Sequence, residues 1–185
     1  ITERMASIIS HLKAFARRDQ PTSEHVALQP ALLDALALHA NQTQSTRVEI
    51  YRDVPEATLW VEAGETRLRQ ILNNIISNAL DALSSKMLPR IIWISAKVEN
   101  NEVCLSVRDN GTGFTDEALV QAREPFFTTK ASARGLGLGL AICDTLTRGL
   151  GGTLTFSNHP DGGALVELRL KHIPSAVNLP SSEEH

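Results

Sequence analysis

Hydrophobic and polar positions follow a helical period along residues 67–83, in the middle of the chain. When this stretch is laid on a helix at about 100° per residue, two faces separate with little mixing. The apolar face holds Leu68, Ile71, Leu72, Ile75, Ala79, Ala82 and Leu83, and the polar face holds Arg67, Gln70, Asn74, Ser77, Asn78 and Asp81. The pattern predicts an amphipathic helix over about 65–85 that rests on a hydrophobic core.

The polar face of this helix has an unusual composition. Asn73, Asn74 and Asn78 lie in its middle, where asparagine costs helix stability because its amide competes with the backbone. Amide oxygens, with the carboxylate of Asp81 one turn further on, suit Mg²⁺, which takes a few protein oxygens together with water and substrate phosphates. On this helix alone, a magnesium site and an ordinary solvated face both stay open.

The same reading divides the rest of the chain into elements. Apolar residues at helical spacing predict a long amphipathic helix in 1–20, which begins in mid-pattern as in a fragment of a longer protein. It is expected to pack against a partner helix of a bundle or a second copy of itself, and packing on its own domain is the alternative. A linker is expected over 21–27, a compact domain over 28–170 and a disordered tail over 171–185.

Within the domain, short alternating runs predict strands and longer periodic runs predict helices. Strands are expected at 26–28, 48–51, 59–61, 91–98, 103–107, 153–157 and 164–170, and further helices at 30–38 and 138–148. The strand at 59–61 is expected to be the hairpin mate of the strand at 48–51, and residues 41–44 to be a polar connection. Because hairpins outnumber strand–helix–strand units, the fold class is α+β: a two-layer sandwich whose mixed, mostly antiparallel sheet has about three helices on one face.

Composition excludes several classes of function. A net charge of −3 gives no footprint for nucleic acid or an anionic membrane, and no apolar run approaches the roughly 20 residues of a bilayer span. Cys104 and Cys143 lie in apolar contexts, which favours buried free thiols and a reducing compartment. The six histidines lack metal-ligand spacing, so no zinc is expected.

Two glycine-containing segments are candidates for ligand contact. Residues 109–113, Asp-Asn-Gly-Thr-Gly, follow an apolar strand; they suit a tight turn, but the second glycine also permits close approach to a flat ligand. An aspartate at a strand end can accept a hydrogen bond from an exocyclic amine such as that of adenine. Residues 135–139, Gly-Leu-Gly-Leu-Gly, open a helix, where each glycine costs roughly 1 kcal/mol relative to alanine. That cost is understandable if free amides at the helix start face phosphates, although close helix packing is the alternative.

Between these segments lies 124–134, in which small and polar residues surround Lys130 and Arg134. The composition suggests a mobile lid with two cations for phosphate charge, anchored by Phe126 and Phe127, and an ordinary basic surface loop is an equal alternative.

In this order and spacing, the four segments closely resemble the ATP-binding module shared by sensor histidine kinases, gyrase, heat-shock chaperone ATPases and mismatch-repair ATPases. Asn78 and its helix match the N box of that superfamily, 109–113 its G1 box, 126–130 its F box and 135–139 its G2 box. The resemblance covers about 28–170. Residues 4–17 are similar to the second helix of the kinase dimerisation hairpin, and the likeness is greatest to the C4-dicarboxylate and nitrogen-regulation sensor kinases.

The resemblance implies roles for particular residues. Asp109 would contact the adenine amine of ATP or ADP, Asn78 would be a Mg²⁺ ligand, and Lys130 with the 135–139 amides would hold phosphates. The implied nucleotide-binding set is Asn78, Asp81, Asp109, Gly111, Gly113, Phe126, Thr129, Lys130, Gly135, Leu136, Gly137, Leu138 and Gly139, with Asn74 and Lys130 as the catalytic positions.

One position separates the classes of this superfamily. The ATPases carry a glutamate that activates water one turn before the magnesium asparagine, whereas this chain has Asn74, which cannot act as a base near neutral pH. The likeness therefore implies a bacterial protein-histidine kinase, and its alternatives are an ATPase switch of the gyrase or chaperone type and a nucleotide-binding module without transfer.

The resemblance also implies partners. The phosphoacceptor histidine of this family is followed by Glu, and no histidine here is, so the acceptor is expected upstream of Ile1 and this chain alone is not expected to autophosphorylate. The partners would be that acceptor helix, a second copy in a homodimer and the receiver domain of a response regulator. The domain would be cytoplasmic, in a sensor anchored in the inner membrane by regions outside this sequence.

Overall fold

Seven strands form one twisted sheet in the computed structural model, which describes residues 24–121 and 138–174. In chain order the strands are β1 (Glu24–Ala27), β2 (Val48–Asp53), β3 (Trp60–Ala63), β4 (Arg90–Glu99), β5 (Glu102–Asp109), β6 (Thr153–Asn158) and β7 (Ala164–Ile173). The helices are α1 (Leu28–Leu38), α2 (Ala40–Thr46), α3 (Glu65–Leu83), α4 (Asp116–Gln121) and α5 (Leu138–Gly149). The expected helix in 1–20 and the tail beyond residue 174 lie outside the described residues.

The sheet is mixed and mostly antiparallel, as predicted. The strand order is β1-β3-β7-β5-β4-β2. Strand β6 also pairs with β7, along 164–169, whereas β3 pairs with β7 at 172–173. Only β2 and β4 among these described strands pair in parallel. The β4–β5 hairpin turns at Asn100 and Asn101, whose φ angles of 52° and 62° suit a two-residue turn of the type that matches strand twist.

The core lies between one face of the sheet and α1, α3 and α5. Alternate residues of β5 point into it, since Val103, Leu105 and Val107 are buried together with the apolar face of α3. Leu68, Ile71 and Leu83 of α3 are completely buried. The predicted two-layer α+β sandwich with three covering helices is therefore confirmed.

The predicted hairpin between 48–51 and 59–61 is wrong. Strand β2 pairs in parallel with β4, from Val48 opposite Arg90 to Asp53 opposite Ser95, whereas β3 pairs with β1 and β7. The short polar segment between β2 and β3 is compatible with a hairpin. Strand pairing, however, depends on which strands bury the same face of the sheet, and those strands need not be neighbours in sequence.

Three element limits also differ from expectation. The brief strand expected at 26–28 is β1, Glu24–Ala27, which begins within the expected linker, pairs with β3 and ends before Leu28, the first residue of α1. Residues 41–44, expected to be a polar connection, lie in the short helix α2. The last strand continues through 171–173, which were expected to belong to the tail, because these residues pair with β5 and β3.

Both cysteines, Cys104 and Cys143, are buried free thiols, as predicted. Among the described residues, no cluster of side chains could hold a metal through histidine, cysteine or carboxylate groups alone. None of the described helices combines the length and apolarity that crossing a bilayer requires.

Candidate functional site

The polar face of α3 carries two amides with unsatisfied hydrogen-bonding capacity. The Nδ2 atoms of Asn74 and Asn78 are buried, and neither meets a nitrogen or oxygen partner within the described part of the chain, although the weakly accepting sulfur of Cys143 lies beside Asn74. A buried polar group without a partner costs roughly 1–3 kcal/mol, so native proteins rarely retain one without a reason. These two amides are therefore candidates for contact with a polar ligand and its water.

Asn73, one residue earlier, is different. Its Oδ1 lies 2.7 Å from Nε2 of His39, at the junction of α1 and α2. This contact joins the α1–α2 junction to α3. The three asparagines of this helix thus divide into one structural residue and two with open capacity.

A thiol lies beside Asn74. Sγ of Cys143, on α5, is 3.7 Å from the carbonyl oxygen of Ile71, and its neighbour is the Asn74 side chain. Burial raises the pKa of this thiol to about 12, against a smaller lowering by Asn74. The group facing Asn74 from α5 is therefore a neutral thiol at physiological pH, and sulfur is only a weak acceptor for the amide.

Asp109 ends β5 with its carboxylate buried, at 4% exposure. Its Oδ1 accepts a hydrogen bond of 2.7 Å from the Gly111 amide and one of 3.3 Å from the Ala164 amide. Burial raises the pKa of Asp109 above its ordinary value, while these two bonds and the nearby Arg108 guanidinium act in the opposite direction. A buried carboxylate that is fixed by backbone amides is a well-defined acceptor for a ligand N–H group.

The loop after Asp109 is packed tightly against α3. A Cβ atom on Gly111 would lie 2.8 Å from Oδ1 of Asp109 and 3.0 Å from the carbonyl oxygen of Ala82, near the end of α3. Glycine is therefore required at 111 by packing within the chain. This contact brings the asparagine-bearing helix and the buried carboxylate to the same side of the sandwich.

The same loop is fixed to β4 by Asn110. Its Nδ2 donates to the Pro89 carbonyl oxygen at 3.0 Å, and its Oδ1 accepts from the Ile91 amide at 2.9 Å. The sequence analysis treated Asn110 only as a turn residue, because its partners lie about 20 positions away.

The remaining predicted residues are only partly described. Asp81 lies on α3 one turn after Asn78, and Leu138 and Gly139 are the first two residues of α5. Phe126, Thr129, Lys130, Gly135, Leu136 and Gly137 lie outside the described residues. The structure thus brings together helix α3 and the 109–113 loop.

An aminopurine nucleotide fits the chemistry of the described residues. The buried carboxylate of Asp109 can accept a hydrogen bond from an exocyclic amine, and amide groups with unmet hydrogen bonds line the adjacent helix. Carboxamide oxygens are also donors that Mg²⁺ accepts. Fold and site together define an α+β sandwich with a polar site whose chemistry suits such a nucleotide.

Comparison with known proteins gives the family. Residues 63–174 match the family described as "Histidine kinase-, DNA gyrase B-, and HSP90-like ATPase", and the chain belongs to this family. It is 55% identical over 184 residues to the C4-dicarboxylate transport sensor protein DctB of Pseudomonas aeruginosa, which confirms the resemblance to sensor kinases of this type. That alignment covers 99% of this chain and 30% of DctB, so the chain spans less than a third of that relative's length.

Two solved structures show the same fold. The catalytic domain of histidine kinase ThkA superposes with a TM-score of 0.72 at 25% identity, over 80% of this chain and 95% of that one. Full-length ShkA in complex with AMPPNP superposes with a TM-score of 0.77 at 26% identity, over 93% of this chain and 36% of that one. Membership of an ATPase family implies that this chain binds a nucleotide.

Several residues that hold the site were not predicted from the sequence. Asn110, Cys143, Asn158 and the Ala164 amide all contact predicted site residues or the loop that carries them. The run 158–163 signalled only a turn, and nothing in it indicates the distant loop that it supports.

Proposed function

We propose that this chain is the catalytic, ATP-binding domain of a sensor histidine kinase. It would present the γ-phosphoryl group of ATP to a histidine of a dimerisation hairpin, from which the group would pass to an aspartate of a response regulator receiver domain. The observation that supports this most directly is Asn74, an amide at the position where the water-activating glutamate of the related ATPases would stand. Without a base for water, transfer to a protein nucleophile is favoured over hydrolysis.

Each site residue has a proposed task. Asp109 accepts the adenine amine, Asn78 is a ligand of Mg²⁺, and Lys130 with the amides of 135–139 holds phosphates. The bound ion supplies charge neutralisation for the triphosphate. The domain itself contributes position and charge, because phosphoryl transfer needs little covalent chemistry from the protein.

The cellular setting is part of the same proposal. The acceptor histidine is none of the six in this sequence, since none is followed by Glu. The full protein would work as a homodimer, with this domain on the cytoplasmic side of the inner membrane.

Binding is tested first by calorimetry of the chain with ATP or ADP, with and without Mg²⁺. Asn78→Ala should abolish the magnesium-dependent part of the affinity. Asn73→Ala is the matched control, because this neighbouring asparagine of the same helix bonds to His39 and has no proposed contact with the ligand. Equal loss in both variants would contradict the role of Asn78.

Transfer is tested by incubating the chain with γ-labelled Mg·ATP and a separate polypeptide that carries the dimerisation hairpin of DctB. The label should appear on the hairpin and not on this chain. Self-labelling at His11 would contradict the placement of the acceptor. Steady-state ATP hydrolysis that is abolished by substitution of a carboxylate in the pocket would favour the ATPase switch. Nucleotide binding without transfer to any hairpin would favour a sensing module.

A further inference from the structure

The side chain of Asn158 bonds to both backbone groups of one distant residue. This last residue of β6 accepts a 2.7 Å hydrogen bond from the Phe114 amide through Oδ1 and donates a 2.8 Å bond to the Phe114 carbonyl oxygen through Nδ2. The carboxamide therefore pairs with Phe114 as a neighbouring strand would. Phe114 lies in the loop between β5 and α4, outside any helix or strand, so the Asn158 side chain supplies the backbone hydrogen bonds that a helix or strand would otherwise provide.

The same two segments are in close contact at other points. Gly113 has a φ of +72°, and a Cβ atom there would lie 2.6 Å from Oδ1 of Asn158. Gly163, with a φ of +87°, lies so close to the Asp109 backbone that a Cβ atom would fall 1.8 Å from its carbonyl oxygen. The next residue, Ala164, donates its amide to Oδ1 of Asp109. The β6–β7 turn thus touches the loop both at Asp109 and at Phe114.

Asn158 is not part of the hydrophobic core. Its side chain is exposed, and the two bonds that it makes with Phe114 are at the surface. Phe114 itself packs edge-to-face on Phe156 of β6, with ring centroids 6.1 Å apart. Truncation of Asn158 would therefore free the backbone of the loop without opening a core cavity, so local order can be separated from global stability.

We propose that Asn158 is a positioning residue for adenine recognition: it holds the 110–114 loop against the β6–β7 turn, so that the Gly111 amide keeps the Asp109 carboxylate in its binding orientation. The inference rests on the proposed function, because it assigns the base end of the nucleotide to Asp109. Asn158 acts through the loop and through Asp109, and it has no contact with the phosphates in this assignment. Substitution of Asn158 should therefore weaken the binding of the base and leave the binding of the triphosphate unchanged.

The first test is hydrogen exchange of the nucleotide-free protein by NMR. In Asn158→Ala, the Phe114 amide should exchange at least about tenfold faster than in the parent, because its hydrogen bond is lost. Asn41→Ala, at an exposed asparagine in α2, is the control and should leave Phe114 unchanged. Unchanged exchange at Phe114 in Asn158→Ala would overturn the proposal before any nucleotide is added.

The second test is calorimetry with Mg·ATP and with magnesium tripolyphosphate, which lacks the base. Asn158→Ala should weaken ATP binding by roughly tenfold, the value of about one hydrogen bond, and leave tripolyphosphate binding unchanged. In combination with Asp109→Asn it should add little, because both substitutions disturb the same contact.

The outcomes separate this inference from the function on which it rests. A parent protein that binds no ATP removes the proposed function, and the inference with it. A parent that binds ATP while Asn158→Ala binds it equally well overturns the inference alone. Equal weakening of ATP and tripolyphosphate would also overturn it, since the residue would then act on the domain in general.

Discussion

Asp109 shows how a residue of the proposed site can oppose stability. Its carboxylate is buried at 4% exposure, and burial raises its pKa, so the charged form that a ligand amine requires is disfavoured by the fold itself. The Gly111 and Ala164 amides and the Arg108 charge offset part of this penalty. A buried carboxylate whose pKa is shifted in this way is characteristic of a functional site.

Asp109→Asn should therefore cost the ligand-free domain little stability, and at neutral pH it should raise the melting temperature or leave it unchanged. Asparagine keeps an oxygen for the Gly111 amide and removes the buried charge. The pKa of Asp109 in the folded state is raised above 3.8, so the folded state binds the proton more tightly than the unfolded chain does. The parent therefore loses stability as pH rises from the ordinary carboxyl pKa to this raised pKa. The advantage of the variant should be largest above the raised pKa and shrink as pH falls.

Thermal unfolding of both proteins between pH 4 and pH 8 measures this difference. Glu49→Gln is the matched control, because it also replaces a carboxylate by an amide but at an exposed position of β2. If Asp109→Asn were strongly destabilised at pH 7.5, or if its advantage grew towards acid, the carboxylate would be a stabilising group.

Residue type and place made Asn78 and Asp109 candidates, because mid-helix asparagines are locally unusual and an aspartate at a strand end can meet a ligand, but only the family resemblance assigned their roles. Asn158 was not predicted, since its bonds join positions 44 residues apart and its own neighbourhood signals only a turn. A local sequence pattern can identify a residue that is unusual for its helix, strand or turn position. It cannot identify a residue whose role depends on partners far away in the sequence.

At the scale of elements, α3 has two tasks on opposite faces. Its apolar face is buried so completely that Ile71, Ile75 and Ile76 are at most 2% exposed, and its other face presents the unsatisfied amides of Asn74 and Asn78. The packing fixes the rotation of the helix about its axis, and that rotation sets where the amides point. Core packing and site geometry are therefore coupled through one helix.

Ile71→Ala should destabilise the domain by about 2–5 kcal/mol, as is usual when a large buried side chain is truncated. The matched control is Leu33→Ala on α1, where the side chain is 50% exposed and the loss should be below about 1 kcal/mol. Urea denaturation of both variants gives the two free energies of unfolding. Equal losses would show that α3 is not the central element of the core.

Helices and hairpins were predictable because their signals lie within one segment. Periods of 3.6 and 2 located α3, α5, β4, β5, β6 and β7 within a few residues. The partner of β2 was not predictable, because its burial pattern exposes most of its residues and says little about a neighbour. The parallel β2–β4 pair joins residues about 42 positions apart, and nothing in either strand marks the other.

At the scale of the whole molecule, the site is assembled where elements remote in sequence meet. Helix α3, the end of β5 and the end of β6 carry Asn78, Asp109 and Asn158 respectively, and the contacts that join these elements form only when the sheet is complete. A ligand bound across them can bind only the folded chain. Binding and global stability must therefore be linked.

A nucleotide at about 100 times its Kd should stabilise the folded domain by about 2.7 kcal/mol, which corresponds to a rise in Tm of roughly 5–10 °C for a protein of this size. Ile71→Ala should melt at a lower temperature but show the same rise with Mg·ATP, if the concentration is set to the same multiple of its own Kd. Asp109→Asn should show the opposite behaviour, a ligand-free Tm near that of the parent and almost no rise at the concentration used for the parent. Scanning calorimetry of the three proteins with and without Mg·ATP measures both quantities. An equal rise in Asp109→Asn and the parent would mean that the nucleotide binds elsewhere, because a ligand that contacts this carboxylate cannot be indifferent to its charge.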